Sequence, residues 1–461
     1  MSLLAVLDIG KTNARLALLK AENGEEVWSI QRANGQGRQG VFRELDVAGL
    51  EAWLLEGLAG LPMKEEIRTI VPVAHGAGLA LLAADGTLLA APDYEDPVFD
   101  EVAKAYRDIR DPFAVTLSPD LPLGLNLGRQ LFFMQTRLPE LFARAATCLT
   151  WAQYWTFRLS GVRAIEPTSL GAHSDLWDPR HRRLAPIVAR QGWARLMPPL
   201  ISATEPAGRL RPELAARTGL PADIQVMGGI HDSNASYWRH RAVRPADERF
   251  AVVSTGTWII ALCAGADLGR LQEARDMLAN VDASGRPTAA TRFMGGREYA
   301  AVAGADGLEA KPDAAALERL VAAGIMALPS FSPTGGPFAG CKGRIVGAQD
   351  LSPVERATLA TLYTALLTDV DLDLLDQEGE IVLEGLFAQN PLFASILATL
   401  RPKDRVSRSP DKAGTLGGAW LLATGVTDHA PRLEPASPLA MPGLVAYRAL
   451  WRTRAEAASQ G

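Results

Sequence analysis

Apolar residues along this chain fall into short dense runs separated by turn-forming clusters, with no heptad pattern and no membrane-length stretch. Leu3 to Ile9 is the first run; Gly10 to Asn13 carries turn chemistry and Leu16 to Leu19 resumes the apolar pattern, which predicts a β-hairpin. Phe250 to Cys263 has the same plan, AVVS, then the turn TGT, then WIIALC. Ala5-Val6-Leu7-Asp8-Ile9-Gly10 aligns without gaps on Ala251-Val252-Val253-Ser254-Thr255-Gly256, an offset of 256 − 10 = 246 residues. Short similar strands also arise by chance, so the match alone is weak evidence of an internal duplication.

The rest of the chain alternates strand-like and helix-like segments. Arg68 to Ala74 is a buried-strand pattern, followed by His75-Gly76 and an apolar return strand that ends at the turn Ala84-Asp85-Gly86. Leu131 to Leu159 is aromatic-rich and free of glycine, predicting two helices joined near Leu138-Pro139. Ile224 to Met227 is a short strand running into Gly228-Gly229. Pro353 to Asp376 predicts a long amphipathic helix, Glu380 to Leu383 a strand after the turn Glu378-Gly379, and Pro391 to Leu400 another helix. Thr415 to Ala423 is a small-residue helix, and the charged, alanine-rich stretch after Pro435 ends in a surface helix. The alternation indicates an α/β fold. No low-complexity linker is present, and Arg244-Pro245-Ala246-Asp247 is the best boundary, giving domains 1–246 and 247–461.

Composition narrows the class. With 461 residues, 48% hydrophobic and 21% charged, the chain is long enough for about two to four domains and is not broadly disordered. Its 47 basic and 52 acidic side chains leave a net charge of −5, which argues against a dedicated nucleic-acid or membrane-surface partner. Cys148, Cys263 and Cys341 are dispersed, and His173 with His181, or His231 with His240, lack metal-ligand spacing. Asp8 and Lys11 interrupt the N-terminal apolar run too early for a signal-peptide core, and Pro329, Pro333, Gly335, Gly336 and Pro337 break the longest uncharged stretch. These features predict a soluble, cytoplasmic protein.

The chemistry is concentrated in turns. Asp8-Ile9-Gly10-Lys11-Thr12-Asn13 puts a carboxylate at a strand end beside a turn whose Gly10 and Thr12 let phosphate oxygens approach backbone N–H groups. Asp8 is placed to hold a hydrated Mg²⁺, and Lys11 to add a point charge to the β and γ oxygens. Ser254-Thr255-Gly256-Thr257 is the matching turn, with hydroxyls where a second carboxylate would repel a triphosphate. Read alone, either segment is also an ordinary polar hairpin. No G-x-x-x-x-G-K-[ST] occurs. In Gly228-Gly229-Ile230-His231-Asp232-Ser233-Asn234-Ala235, a first-turn Asp232 is kept ionised by the helix dipole and suits proton abstraction from a hydroxyl, although on local sequence alone a capping aspartate is the commoner reading. Glu384 to Pro391 is a strand-to-helix turn in which Gly385 would let an adenine lie against backbone and Asn390 approach the purine; a plain capped loop is the alternative. His75-Gly76 is a candidate sugar-contacting turn, or a histidine bonded to nearby backbone.

In this order, the segments resemble the FGGY carbohydrate kinases. DIGKTNAR is similar to the first phosphate motif, GGIHDSNAS to the catalytic-aspartate motif with a rhamnulokinase-like His-Asp-Ser core, and STGTW to the second phosphate motif. EGLFAQNPLF resembles the adenosine motif and AGTLGGAWLLA, residues 413–423, the closing connect motif. YWTFRLSG with PTSLGAHSDLWD, and Gly343-Arg344-Ile345-Val346-Gly347, add family-like segments. The resemblance covers nearly all of the chain from Leu4 to about Ala423.

It implies two actin-like (ribonuclease-H-like) ATPase domains with a cleft between them, and ATP and Mg²⁺ as cofactors. It implies that Asp232 is the base, that Asp8 handles Mg²⁺ through water, and that Gly10, Lys11, Thr12, Asn13, Thr255, Gly256 and Thr257 hold the phosphates. Gly385 and Asn390 would border the adenosine, while His75, Gly76, His231, Asp232 and Ser233 would line the sugar. Two positions depart from the family: Glu384 replaces the first glycine of the adenosine turn, and Lys11 stands where many relatives carry a small residue. The leading expectation is an ATP-dependent kinase of a ketose such as L-rhamnulose or L-fuculose. Another pentulose, a polyol or an aldose is the alternative acceptor, and a homodimer would be ordinary for this family. A non-catalytic actin-like sugar-binding regulator, or an actin-like ATPase, ranks below these because Asp8 and Asp232 are both present.

Overall fold

Six of the seven residues of the strand Leu3–Ile9 are buried, because this strand runs through the middle of a sheet. The computed structural model describes residues 2–332, 335–347, 350–410 and 414–459; Pro333 and Ala413, which entered the reading above, lie outside them. Leu3–Ile9 pairs antiparallel with Asn13–Lys20 and parallel with Ile67–Ala74. Asn13–Lys20 continues antiparallel to Glu26–Ala33, while Ile67–Ala74 continues parallel to Gln225–Met227, which pairs with Pro206–Arg209 at the edge.

A second sheet repeats this plan. Phe250–Thr255 is antiparallel to Ile259–Cys263 and parallel to Glu380–Gly385, which is parallel to Arg405–Arg408. On the other side Ile259–Cys263 is antiparallel to Pro287–Phe293, and Met277–Val281 follows. The two hairpins are in register with the sequence match: their first strands end at Ile9 and Thr255 (255 − 9 = 246) and their second strands begin at Asn13 and Ile259 (259 − 13 = 246).

The chain divides into two compact units, Met1–Arg244 with Ala279–Pro287 and Ala413–Ala430, and Pro245–Leu278 with Thr288–Lys412 and Pro431–Gly461. Two stretches beyond residue 247 therefore belong to the first unit. One contains the helix Gly414–Thr424, whose Leu416, Ala419, Trp420, Leu421 and Leu422 join Leu4, Val6, Val71 and Ala235 in one apolar core. Apolar contact explains the return: Trp420 also donates its indole N–H to the Ala21 carbonyl at 3.0 Å.

Three expectations change. The segment Leu131 to Leu159 does break at Pro139, but it forms the helices Leu127–Arg137 and Pro139–Arg144, a strand Thr147–Thr150, and then the helix Trp151–Ser160. The apolar return Leu79–Leu82 pairs with that Thr147–Thr150 strand and with Leu88–Ala90 in a separate small sheet. The helix Pro353–Leu374 is not amphipathic in its setting, since every residue from Ala357 to Leu372 is buried. Its hydroxyl-bearing positions fooled the pattern: Thr361, Thr364 and Thr368 return their hydroxyls to carbonyls four residues earlier and so can be buried. Its start is marked by a capping box, Ser352 with Glu355, and Pro353 in the first turn. Among the described residues, no helix is long and apolar enough to cross a membrane.

Candidate active site

Asp232 begins the helix Asp232–Arg241, directly after the two-residue strand Ile230–His231 that pairs with Val73 and Ala74. Because His75 and Gly76 follow Ala74, this pairing brings His75-Gly76 beside His231-Asp232. Gly76 is required there: a Cβ on it would lie 2.7 Å from Nε2 of His231. The contacts recorded for the Asp232 carboxylate all fall on Oδ1, which accepts from the Ser233 N–H at 2.6 Å and the Ser233 hydroxyl at 3.2 Å and lies 3.2 Å from His231 Nε2. Among the described residues Oδ2 is left without a recorded partner, and the Asp232 side chain is 31% exposed.

Asp8 sits at the end of Leu3–Ile9, between Arg15 on one neighbouring strand and Val73 on the other. Enclosure and then the negative charge of Asp232 push its pKa up to about 7, with Arg15 opposing. Two neighbouring carboxylates, one with a raised pKa, suit a divalent cation held mostly through water. Among the described residues no cluster of three or more His, Cys, Asp or Glu forms a protein-only metal cage.

His75 is buried, and burial pulls its pKa down to about 4, so it is neutral at pH 7. Its Nδ1 lies 2.7 Å from the Gly76 carbonyl, which can only accept, so Nδ1 carries the hydrogen and Nε2 is left as an acceptor. The ring is flanked by Tyr94 at 5.6 Å and Trp151 at 6.2 Å between centroids.

Lys11 is where the structure departs most from expectation. Its ammonium pairs with Asp93, lies 3.6 Å from Glu95 and sits 5.1 Å from the Tyr94 ring centre. The charge expected for phosphate is thus committed to an acidic wall, and Asp93 also pairs with Arg43 at 2.8 Å. Lys11, Gly10 and Thr12, together with His75, Trp151, Asp93 and Glu95, border a cavity of about 320 Å³. Asp232 does not line it. The turn backbone is held by Asn34, which donates its amide to the Gly10 carbonyl at 2.8 Å and its N–H to the Thr12 carbonyl at 2.8 Å. Asn13 is exposed and donates to the Thr12 hydroxyl at 3.1 Å.

In the second unit, the expected nucleotide residues also cluster. Thr255 is buried; its hydroxyl donates to the Glu384 carbonyl at 2.6 Å and accepts from the Phe387 N–H at 2.9 Å, so it braces the 384–387 turn instead of standing free. Gly385, at φ +86°, passes so close to Thr255 that a Cβ would meet the Thr255 carbonyl oxygen at 2.2 Å. Gly256 is half-buried and Thr257 exposed, its carbonyl taking the Gly296 N–H at 3.2 Å. Asn390 caps the helix Pro391–Leu400 through Leu392 N–H at 3.1 Å and donates to the Thr361 hydroxyl at 3.3 Å. Glu384 is buried in its strand. Asp93, Tyr94, Glu95 and Trp151 escaped the sequence reading. The only local signal for the first three was the acid-aromatic string Asp93-Tyr94-Glu95-Asp96, whose proximity to Lys11 is a matter of tertiary structure.

Comparison with known proteins places this geometry. Residues 125–237 match a family described as "FGGY family of carbohydrate kinases, N-terminal domain", and residues 247–432 one described as "Carbohydrate kinase FGGY, C-terminal domain". The chain is similar to the crystal structure of a carbohydrate kinase from Novosphingobium aromaticivorans, at 38% identity and TM-score 0.88 over 99% of each chain. It shares the fold of a xylulose kinase from Rhodospirillum rubrum, at 18% identity and TM-score 0.82 over 99% of this chain and 98% of that one. An L-fuculokinase of Salmonella typhi is 27% identical over 265 residues, so the match spans about half of that relative's length, 55%, and 55% of this chain.

Proposed function

Because the chain belongs to the FGGY family of carbohydrate kinases, we propose that it transfers the γ-phosphoryl group of ATP to a hydroxyl of a ketose such as L-fuculose or L-rhamnulose. The observation that carries this reading is the asymmetry of Asp232, with Oδ1 held by Ser233 and lying beside His231, and Oδ2 without a recorded partner among the described residues. A fixed carboxylate with one unengaged oxygen is what a general base needs to receive the acceptor hydroxyl's proton. The L-fuculokinase similarity supports a ketose, although another pentulose, a polyol or an aldose would use the same base.

In this reading His75 accepts a hydrogen bond from a sugar hydroxyl at Nε2, Gly76 leaves room for His231, and Ser233 shares the sugar wall. Gly10, Lys11, Thr12 and Asn13 are the candidates to take phosphate oxygens, as are Thr255, Gly256 and Thr257, while Gly385 and Asn390 are the candidates to border the adenosine. Lys11 reaches phosphate only by loosening its pair with Asp93. Mg²⁺, when bound through water at Asp8, neutralises charge on the phosphates.

ADP release measured against a panel of ketoses, aldoses and polyols tests the proposal. A ketose is expected to raise turnover most; a polyol or aldose giving the largest rise would replace the acceptor, and no stimulation by any sugar would defeat the kinase reading.

A further inference from the structure

His231 has two ring nitrogens with different neighbours, and the sequence of hydrogen bonds around it fixes which one carries a hydrogen. Asn234, buried in the first turn of the Asp232–Arg241 helix, directs its side-chain NH₂ at the Val281 carbonyl and, at 3.0 Å, at Oδ1 of Asn280. The Val281 carbonyl can only accept. Asn280 Oδ1 is itself fixed as an acceptor by the Val281 N–H at 2.8 Å. Both amide hydrogens of Asn234 are therefore committed, and the atom it turns toward His231 is its oxygen, 2.5 Å from Nδ1. An amide oxygen offers no hydrogen, so Nδ1 must supply it.

The other face of the ring is just as constrained. Nε2 lies 3.2 Å from Asp232 Oδ1 and packs over Gly76, where a Cβ would come within 2.7 Å. The His231 backbone is tethered separately, its N–H donating to the Thr168 hydroxyl at 3.2 Å, and that hydroxyl in turn donates to the buried Glu166 carboxylate.

We propose that Asn234 is a positioning residue: its oxygen, by taking the hydrogen of His231 Nδ1, fixes the plane of the ring and so keeps Nε2 over Gly76 and beside Asp232. The inference rests on Asp232 being the base. Asn234 touches no reacting atom; it acts through His231. A ring that lost this anchor would be free to turn about Cβ–Cγ, and Nε2 would leave its place beside Asp232.

The test is a long-range ¹⁵N–¹H correlation spectrum of the full chain labelled at histidine nitrogen, with the His231 signals identified by their loss in His231→Gln. Nδ1 of His231 is expected at the frequency of a protonated ring nitrogen, and Asn234→Leu is expected to abolish that signature. In the sugar-stimulated ADP assay, Asn234→Leu is expected to lower kcat about tenfold or more while KM for ATP stays within about twofold. Asn234→Ala removes the same oxygen without adding bulk and is expected to lose the protonated signature and to lower kcat to a similar extent. An unprotonated Nδ1 in the parent protein overturns the proposal, as does a parental kcat in folded Asn234→Leu. If Asn234→Leu fails to fold, a retained signature together with a parental kcat in Asn234→Ala overturns it instead. Absence of sugar-stimulated turnover in the unmodified protein would refute the kinase reading, and the nitrogen spectrum still decides where the hydrogen sits.

Discussion

At the scale of single residues, geometry assigns different tasks to side chains that look alike in sequence. Gly76 is the sharpest case, because its missing Cβ is the space in which His231 sits. Gly76→Ala is expected to push the His231 ring off Asp232 and to lower kcat at least about tenfold with the protein still folded, checked by circular dichroism beside the ADP assay. Asp371 makes the opposite point, that a buried titratable group need not be functional. Neither of its carboxylate oxygens has a hydrogen-bond partner among the described residues. Burial drives its pKa well above the usual carboxylate range, Asp276 adding to the rise, with the nearby Thr291 hydroxyl and Arg275 opposing. The folded state therefore keeps a proton that the unfolded chain releases above its ordinary pKa near 3.8, so this group costs stability increasingly as pH rises. Asp371→Leu, of similar shape, is expected to stabilise by about 1–3 kcal/mol, with a larger gain at pH 8 than at pH 5 in thermal unfolding. An equal gain at both values would show that the native carboxyl is already ionised.

At the scale of elements, the helix that carries Asp232 depends on a neighbour drawn from far along the chain. A Cβ at Gly418 would stand 1.8 Å from the Ala235 carbonyl oxygen, a backbone atom with nowhere to retreat. Gly418→Ala is therefore expected to separate the helices Asp232–Arg241 and Gly414–Thr424. The expected cost is about 3 kcal/mol or more, read as a lowered unfolding midpoint together with reduced turnover. The capping box of Pro353–Leu374 gives a milder expectation: Ser352→Ala should cost about 1 kcal/mol and leave KM values unchanged. Elements that announce themselves locally were readable in the sequence. The hairpin at Gly10 and the helix Pro391–Leu400 behind Asn390 both carry turn or cap residues. The Thr147–Thr150 strand was hidden in a helical-looking aromatic run. Partners far away in sequence were likewise invisible, among them Asp93 for Lys11 and Val281 for Asn234. The motif around Asp232 could be read because its residues are consecutive, whereas the packing of His231 against Gly76 is set by the pairing of strands far apart in sequence.

At the scale of the whole molecule, the 246-residue offset is a repeat of architecture as well as of a few letters. In each sheet a central strand is antiparallel to the next strand and parallel to a later one, and a three-residue turn, Gly10–Thr12 or Gly256–Trp258, joins the hairpin. The two turns have diverged in chemistry: the first has Asp8 at −2 from its glycine, where the second has Ser254, and only the first half carries the His231-Asp232 pair. The central claim is that this pair serves phosphoryl transfer to a sugar, with Asp232 as base. The most direct measurement is single-turnover transfer of phosphate from ATP to the best acceptor of the sugar panel, run side by side on the unmodified protein and on Asp232→Asn, with sugar binding measured separately by calorimetry. The account predicts that Asp232→Asn binds the sugar with little change yet transfers phosphate about 10²–10⁴-fold more slowly. Transfer at the parental rate by Asp232→Asn would contradict it.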